Sequence, residues 1–444
     1  MKALKLDIEN YSTEPEDLIA YGFDASGLAE IPAAVAWPRS VEEVLNIMKI
    51  ADREMLAIIP RGAGTGMSGG SVPAKGALVL SLERMNKILE IDEENLTALV
   101  EPGVINGRFQ RELEGMGLFY PPDPASLEFC TIGGNVAENA GGPRALKYGV
   151  TRDYVLELEA VLPNGSLIKT GVETQKGVVG YDLTRLLVGS EGTLAVITKI
   201  RLKVLPLPED VLTLLVLFKD IESSGAAVSR IIASKIIPST LEFMDNESIK
   251  AVEAYKPIGL PRDAGALLLI ELDGHPAAIR AQAEEIVEIC ETLGAEVTMA
   301  EDDRAREALW RARRGISPAL YHVSARKVSE DIVVPRSKIP EMLSFLKKLS
   351  EKSKVPIASF GHAGDGNIHV NLLPAQKTDL TPVLRELFET VLKLGGTISG
   401  EHGIGLAKKP FIGMEIKPAE MRLMRDIKRV FDPKGILNPG KIFP

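Results

Sequence analysis

Apolar positions along the chain repeat in two rhythms. Val41, Val44, Leu45, Met48 and Ile50 recur at helical spacing, which predicts an amphipathic helix running through Ala51. Ser40, with Glu43 three residues on, is a capping box that starts it. Elsewhere short apolar runs of strand length are punctuated by Gly, Pro or Asn: residues 33–37, 55–59, 77–81, 88–91 and 96–101. Residues 106–114 read as a helix, and 155–162 and 167–170 flank Asn164-Gly165, a hairpin signal. Pro206-Leu207-Pro208 then breaks the chain, and strands alternate with long helices. Strands are predicted at 211–218, 239–244, 265–272, 295–299, 327–334, 355–360 and 367–373, with helices including 276–293, 301–323 and 338–353. The pattern predicts an α+β protein whose second half is a ferredoxin-like α+β layer. The end, MRLMRDIKRVFDPKGILNPGKIFP, reads as a helix, a turn and a Pro/Gly-rich tail.

Length and charge narrow the picture. At 444 residues the chain exceeds one ordinary core, so two domains are expected. Hydrophobic and charged contents of 45% and 25% are ordinary for a soluble globular protein. A net charge of −9 without a basic face argues against a nucleic-acid partner. The longest apolar runs, 211–218 and 266–270, are far short of a membrane span, and MKALKLDIEN has no apolar h-region. The two Cys, Cys130 and Cys290, form no disulfide framework and cannot supply four thiolates to an iron–sulfur cluster. A cytoplasmic location is expected.

Candidate chemistry concentrates in a few segments. GHAGDGNIH, residues 361–369, and SGEHG, residues 399–403, hold three of the five His of the chain. Imidazoles and carboxylates among glycines suggest a metal or catalytic site. PRGAGTGMSGG, residues 60–70, follows a strand and can turn successive backbone N–H groups toward an anion. Met67 stands where a Rossmann fingerprint needs its last glycine, and no Gly-Lys-Ser/Thr follows, so a different phosphate cradle is expected. Residues 121–142 read as a long irregular segment, of the kind that is usually functional.

In order along the chain, PRGAGTGMSGG, CTIGGNVAENAGG, GYDLTRLLVGSEGTL, GHAGDGNIHVN, SGEHGIG and FDPKGILNPGK resemble the glycolate oxidase, D-lactate dehydrogenase and D-2-hydroxyglutarate dehydrogenase group of the vanillyl-alcohol oxidase superfamily. The resemblance implies a two-part PCMH-type FAD-binding domain at 31–207, after a lead-in at 1–30. It further implies a substrate cap with a metal site at 208–420, and a C-terminal helix and tail at 421–444 returning to the flavin. It places Arg61, Gly62, Ala63, Gly64, Thr65, Gly66 and Ser68 at the FAD pyrophosphate. Asp123, Thr131, Gly133, Gly134, Asn135, Asn139 and Gly142 follow the ribityl chain and ring, Ile197 packs at the adenine end, and Asn438 approaches from the tail. Many relatives tether the flavin through a His after the Gly-rich loop; here Ser71 follows Gly69-Gly70, so FAD is expected to be non-covalent.

The implied reaction is oxidation of a D-2-hydroxy acid to the 2-oxo acid, with D-lactate or glycolate favoured and D-2-hydroxyglutarate the alternative. His362, His369 and Glu401 match metal ligands, zinc or manganese, and His402 the general base. Substrate contacts are implied at Arg313, Ser317, Lys327 and Asn371; read as one helix, Arg313 and Ser317 share a face. Asp365 is either a turn residue or the group that orients a ligating imidazole. Electrons are expected to pass to a separate acceptor: an iron–sulfur subunit, an electron-transfer flavoprotein or a quinone. Rival readings are an ether-lipid-forming transferase, a non-catalytic electron carrier and an oxygen-reducing enzyme.

Overall fold

The computed structural model describes residues 10–375 and 378–444; the first nine residues of the predicted lead-in lie outside them. The chain divides into two compact units, one of residues 1–141, 150–207 and 401–444, the other of residues 142–149 and 208–400.

Among the described residues the first unit holds two larger sheets and a two-stranded pair of Leu118–Phe119 with Leu205–Pro206. One orders β1 (Tyr11–Ser12), β2 (Ala34–Ala36), β4 (Leu78–Ser81) and β3 (Ile58–Arg61), with β2, β4 and β3 parallel. Helix α1 (Val41–Glu54) crosses between β2 and β3, capped by Ser40 as its sequence predicts. Its buried stripe, Val44, Ile47, Met48 and Ala51, packs on Ile58, Leu78 and Leu80. The second sheet is antiparallel, in the order β5 (Ile88–Asp92), β6 (Thr97–Val100), β9 (Val196–Lys203), β7 (Val155–Val161) and β8 (Leu167–Gly171). Between β6 and β7 lie α2 (Asn106–Glu114) and α3 (Ile132–Glu138). Helix α3 corrects the expectation that 121–142 has no regular structure. Thr131 caps it by accepting from Gly134 N–H, and its two glycines sit where a side chain would strike Pro102 or Thr131.

The C-terminal segment is stapled back onto this unit. Asn438 Nδ2 donates to Gly70 O at 3.0 Å and Glu191 O at 2.7 Å, and Lys441 Nζ donates to Gly69 O at 2.7 Å and Val72 O at 2.5 Å. The tail therefore holds the Gly-rich loop by its carbonyls, in place of the regular ladder that a glycine-rich segment cannot form.

The second unit is one antiparallel seven-stranded sheet. Its order is β13 (Glu296–Met299), β10 (Asp210–Phe218), β12 (Ala266–Gly274), β11 (Thr240–Asp245), β15 (Ile357–His362), β16 (Asn367–Leu372) and β14 (Val328–Val333). Helices α4 (Ile221–Ala233), α5 (Asn246–Tyr255), α6 (Pro276–Glu291), α7 (Asp303–Arg314), α8 (Ile316–Val323), α9 (Ile339–Ser353) and α10 (Thr381–Lys393) cover it. The helix read over 301–323 is two helices that meet at Gly315, so Arg313 and Ser317 do not share one regular face. Trp310, Ile316 and Leu320 pack with Ala358 and Phe360 on one side of the sheet. The mixed helix–sheet class is as the sequence predicts. No helix among the described residues is long and apolar enough to cross a membrane.

Candidate functional site

Successive residues of a strand point to opposite faces, and cross-strand partners point to the same one. In the second unit Glu242 on β11 stands opposite His362 on β15, and Phe360 opposite His369 on β16. Ser329 and Asp331 on β14 stand opposite Asn371 and His369. The register therefore gathers Glu242, His362, His369, Asn371 and Asp331 on one face, and Lys327, two residues before Ser329, projects to the same side.

The pairing fixes the chemistry of each group. His362 Nδ1 lies 2.6 Å from Glu242 Oε1, which commits that nitrogen and turns Nε2 outward; the two Nε2 atoms of His362 and His369 lie 3.4 Å apart. Glu242 also accepts from Arg313, through Nε at 2.7 Å and Nη2 at 2.5 Å, and is fully buried. Burial raises the Glu242 carboxyl, but the His362 and Arg313 charges outweigh it and hold it below the usual carboxylate range. Arg313 is thus neutralised by Glu242, a partner that sequence reasoning missed; nothing in the spacing of β11 marks this Glu from any other. Arg314 pairs with Glu307 at the surface, as expected of a solvated cation.

The turn from β15 to β16 is tight. Asp365 Oδ1 accepts from Asn367 N–H at 3.1 Å, and Gly366 has φ +90° with Val334 O only 2.1 Å from where a Cβ would stand. Asp365 accepts within this turn, and Glu242 is the carboxylate at 2.6 Å from His362 Nδ1. Asp331 accepts from Gly400 N–H at 2.8 Å and from Ser399 Oγ at 3.1 Å, pinning the residue that Glu401 follows in the chain. Lys327 Nζ donates to Ser317 Oγ and sits 4.6 Å over the Tyr321 ring. Burial lowers its pKa to about 8, and among the described residues no carboxylate pairs with it. Asn371 is fully buried, with Nδ2 spent on backbone carbonyls and Oδ1 open.

The first unit holds a cleft of its own. Arg61, Gly62, Ala63, Gly64, Thr65, Gly66, Thr131, Gly133, Gly134, Asn135, Ile197 and Asn438 line it, together with Glu138, Glu191, Glu401 and His402. Ser68, Asp123, Asn139 and Gly142 are not in the lining. The Ser68 carbonyl faces away to accept from Leu406 and Ala407 N–H, Asn139 accepts from Arg152 N–H, and Gly142 belongs to the second unit. Arg61 donates to Phe23 O at 2.6 Å and Ser71 Oγ at 3.3 Å. Asn135 Nδ2 and Asn438 Oδ1 are buried without a hydrogen-bond partner. An open donor, an open acceptor and a run of glycine backbone fit a ligand with amide and phosphate groups, as FAD is. Burial pushes the Cys130 thiol up, away from the reactive thiolate.

Residues 32–171 match the FAD binding domain, and residues 207–442 the C-terminal domain of FAD linked oxidases. The glycolate oxidase subunit GlcD of Bacillus subtilis (strain 168) is 46% identical, covering 98% of this chain and 94% of its own. A D-lactate dehydrogenase of Anaerostipes hadrus is 37% identical over 93% of this chain and 89% of its own. Among solved structures, p-cresol methylhydroxylase with substrate bound superposes with TM-score 0.80 at 19% identity, covering 98% of this chain and 93% of that one, which shows the fold alone. Matched along almost its whole length by full-length relatives, the chain belongs to the FAD-linked oxidases, the flavoprotein oxidoreductases that its six motifs resemble.

Proposed function

We propose that the protein oxidises a short D-2-hydroxy acid, D-lactate or glycolate, to the 2-oxo acid, with FAD held non-covalently and one divalent ion, zinc or manganese. The observation that carries this reading is the shared sheet face on which Lys327, Asn371 and the His362–His369 pair meet. Lys327 is a half-buried cation with no carboxylate partner among the described residues, which suits a substrate carboxylate. Ser317 holds its ammonium, and Asn371 Oδ1 stands open to a donor group of the substrate. Arg313 is spent on Glu242, so that among the described residues of this face Lys327 is the cation to which no carboxylate is paired, which favours a monocarboxylate over D-2-hydroxyglutarate.

The donor set also supports a metal. Two imidazole nitrogens bound at about 2.0–2.1 Å to a tetrahedral ion lie roughly 3.3–3.4 Å apart. The Nε2 atoms of His362 and His369 have that separation, and it is long for a hydrogen bond between them. Glu242 orients His362, and Glu401, next after the pinned Gly400, is assigned as the third ligand. When bound, the ion would acidify the substrate hydroxyl and FAD would accept the hydride. The chain itself would grip the carboxylate through Lys327 and take the hydroxyl proton at His402. Ser71 in place of a tethering His, and the protonated Cys130 thiol, support a non-covalent flavin.

The two Cys are both buried and free, so the reduced flavin would need an acceptor elsewhere: an iron–sulfur subunit, an electron-transfer flavoprotein or a quinone. Steady-state assays with D-lactate, glycolate and D-2-hydroxyglutarate, run with an artificial dye and then with NAD, test both points. Turnover of the short acids with dye is expected. A marked preference for the dicarboxylate, or rapid NAD reduction, would contradict the reading.

A further inference from the structure

Glu191 belongs to the Gly-Ser-Glu-Gly turn of residues 189–192, yet its carboxylate is buried and its backbone is left-handed at φ +52°. A non-glycine residue in that conformation is uncommon and needs surrounding contacts to hold it. The contacts are on three sides. Glu191 N–H donates to Ala137 O at 2.8 Å, and its carbonyl accepts from Asn438 Nδ2 at 2.7 Å. Its two side-chain oxygens divide between the next two amides of one loop: Oε1 accepts from Ile404 N–H at 2.9 Å and Oε2 from Gly405 N–H at 2.7 Å.

That loop follows His402 directly. At Gly403 φ is +78°, and a Cβ would stand 2.6 Å from Glu138 Oε2 and 3.1 Å from Glu191 Oε1. Gly405 lies so close to Ser68 that a Cβ would stand 2.3 Å from its carbonyl oxygen. Residues 403–405 are therefore seated on a pair of carboxylates, Glu138 and Glu191, and Glu191 and His402 both line the cleft of the first unit.

We propose that Glu191 is the positioning residue of His402: by holding the Ile404 and Gly405 amides it sets where the imidazole stands. The proposal rests on the assignment of His402 as the base. The grip needs two acceptors. A glutamine keeps the volume but offers one carbonyl oxygen and presents N–H to the other amide, so one contact is lost and a donor faces a donor. Displacement of a reacting group by about 1 Å costs on the order of 100-fold in rate.

The test is a double-mutant cycle on the FAD-loaded protein with Glu191→Gln, His402→Ala and both. The limiting rate of anaerobic flavin reduction by D-lactate, the substrate concentration giving half that rate, and the FAD dissociation constant of the apoprotein from flavin fluorescence are each measured. Glu191→Gln is expected to lower the limiting rate roughly 10–100-fold, with half-saturation and FAD affinity within about threefold of the parent, and to add nothing in the His402→Ala background. Multiplying effects in the double variant, or weakened FAD binding with an unchanged limiting rate, would overturn the proposal. An unchanged rate in His402→Ala would overturn the base assignment itself. If Glu191→Gln does not fold, Gly403→Ala sets a methyl group against the Glu138 and Glu191 carboxylates and lifts the same loop off them, and the same cycle decides.

Discussion

Glu242 is the group whose removal is most informative. It is fully buried and accepts from His362 Nδ1 at 2.6 Å and from Arg313 at 2.7 and 2.5 Å. Glu242→Gln keeps the shape but leaves the Arg313 charge buried without compensation. Breaking a buried pair from one side costs about 3–5 kcal/mol, and the remaining amide acceptor places this case near the low end, about 3 kcal/mol. For a unit of this size that is roughly 6–12 °C in Tm. Loss of the partner on Nδ1 should also weaken divalent-ion binding by about 10–100-fold. The folded-state pKa of Glu242 is lowered, so its contribution is present above the unfolded value of about 4.3 and lost as pH falls through the folded one. The Tm gap between parent and variant should therefore be full at neutral pH and close in acid. Thermal unfolding across that pH range and a zinc titration are the assays. The double variant Glu242→Leu with Arg313→Met should regain stability, since an apolar pair replaces the buried ions, but not ion affinity. A Tm within about 2 °C of the parent with unchanged ion affinity would refute the reasoning.

Further outcomes are expected. Glu401→Gln should lower bound metal and turnover while FAD stays bound; full activity in metal-free protein would exclude the metal assignment. Acid precipitation should release the yellow colour into solution, because Ser71 cannot tether the flavin and the Cys130 thiol is kept protonated by burial; colour held in the pellet would point to a covalent bond. Lys327 is charged below a pKa of about 8, so KM for the acid substrate should climb about tenfold per pH unit above that value, and Lys327→Met should abolish the climb. A KM flat from pH 7 to 10 in the parent would remove Lys327 from the carboxylate site.

Much of this was legible in the sequence because periodicity reports which face is buried. The strand–helix alternation after Pro208 and the α1 cap at Ser40 appear where the pattern places them. Helix α3 was not legible, since Gly133-Gly134 reads as a breaker, whereas close packing on Pro102 and Thr131 requires glycine there. The split of 301–323 at Gly315 has a local cause that the apolar spacing hides: Pro318 has no N–H to give the Arg314 carbonyl and suits the first turn of a new helix, which starts at Ile316. His362 and His369 declared themselves by type and spacing. Glu242 did not, because it is 120 residues away and only the β11–β15 register brings it to His362. Glu191 stood inside a recognised motif, but its left-handed backbone and double grip on residues 404 and 405 belong to tertiary structure.

The central claim is that a 2-hydroxy acid is oxidised directly at the flavin. Its most direct measurement is anaerobic stopped-flow absorbance of the FAD-loaded protein mixed with D-lactate, L-lactate, glycolate and D-2-hydroxyglutarate in turn. Loss of the visible absorption band of the oxidised flavin follows one or more of these acids in a single turnover with no added acceptor. The expected result is saturable bleaching by D-lactate or glycolate, with L-lactate slower by orders of magnitude. A flavin that stays oxidised with every hydroxy acid in the panel would contradict the account.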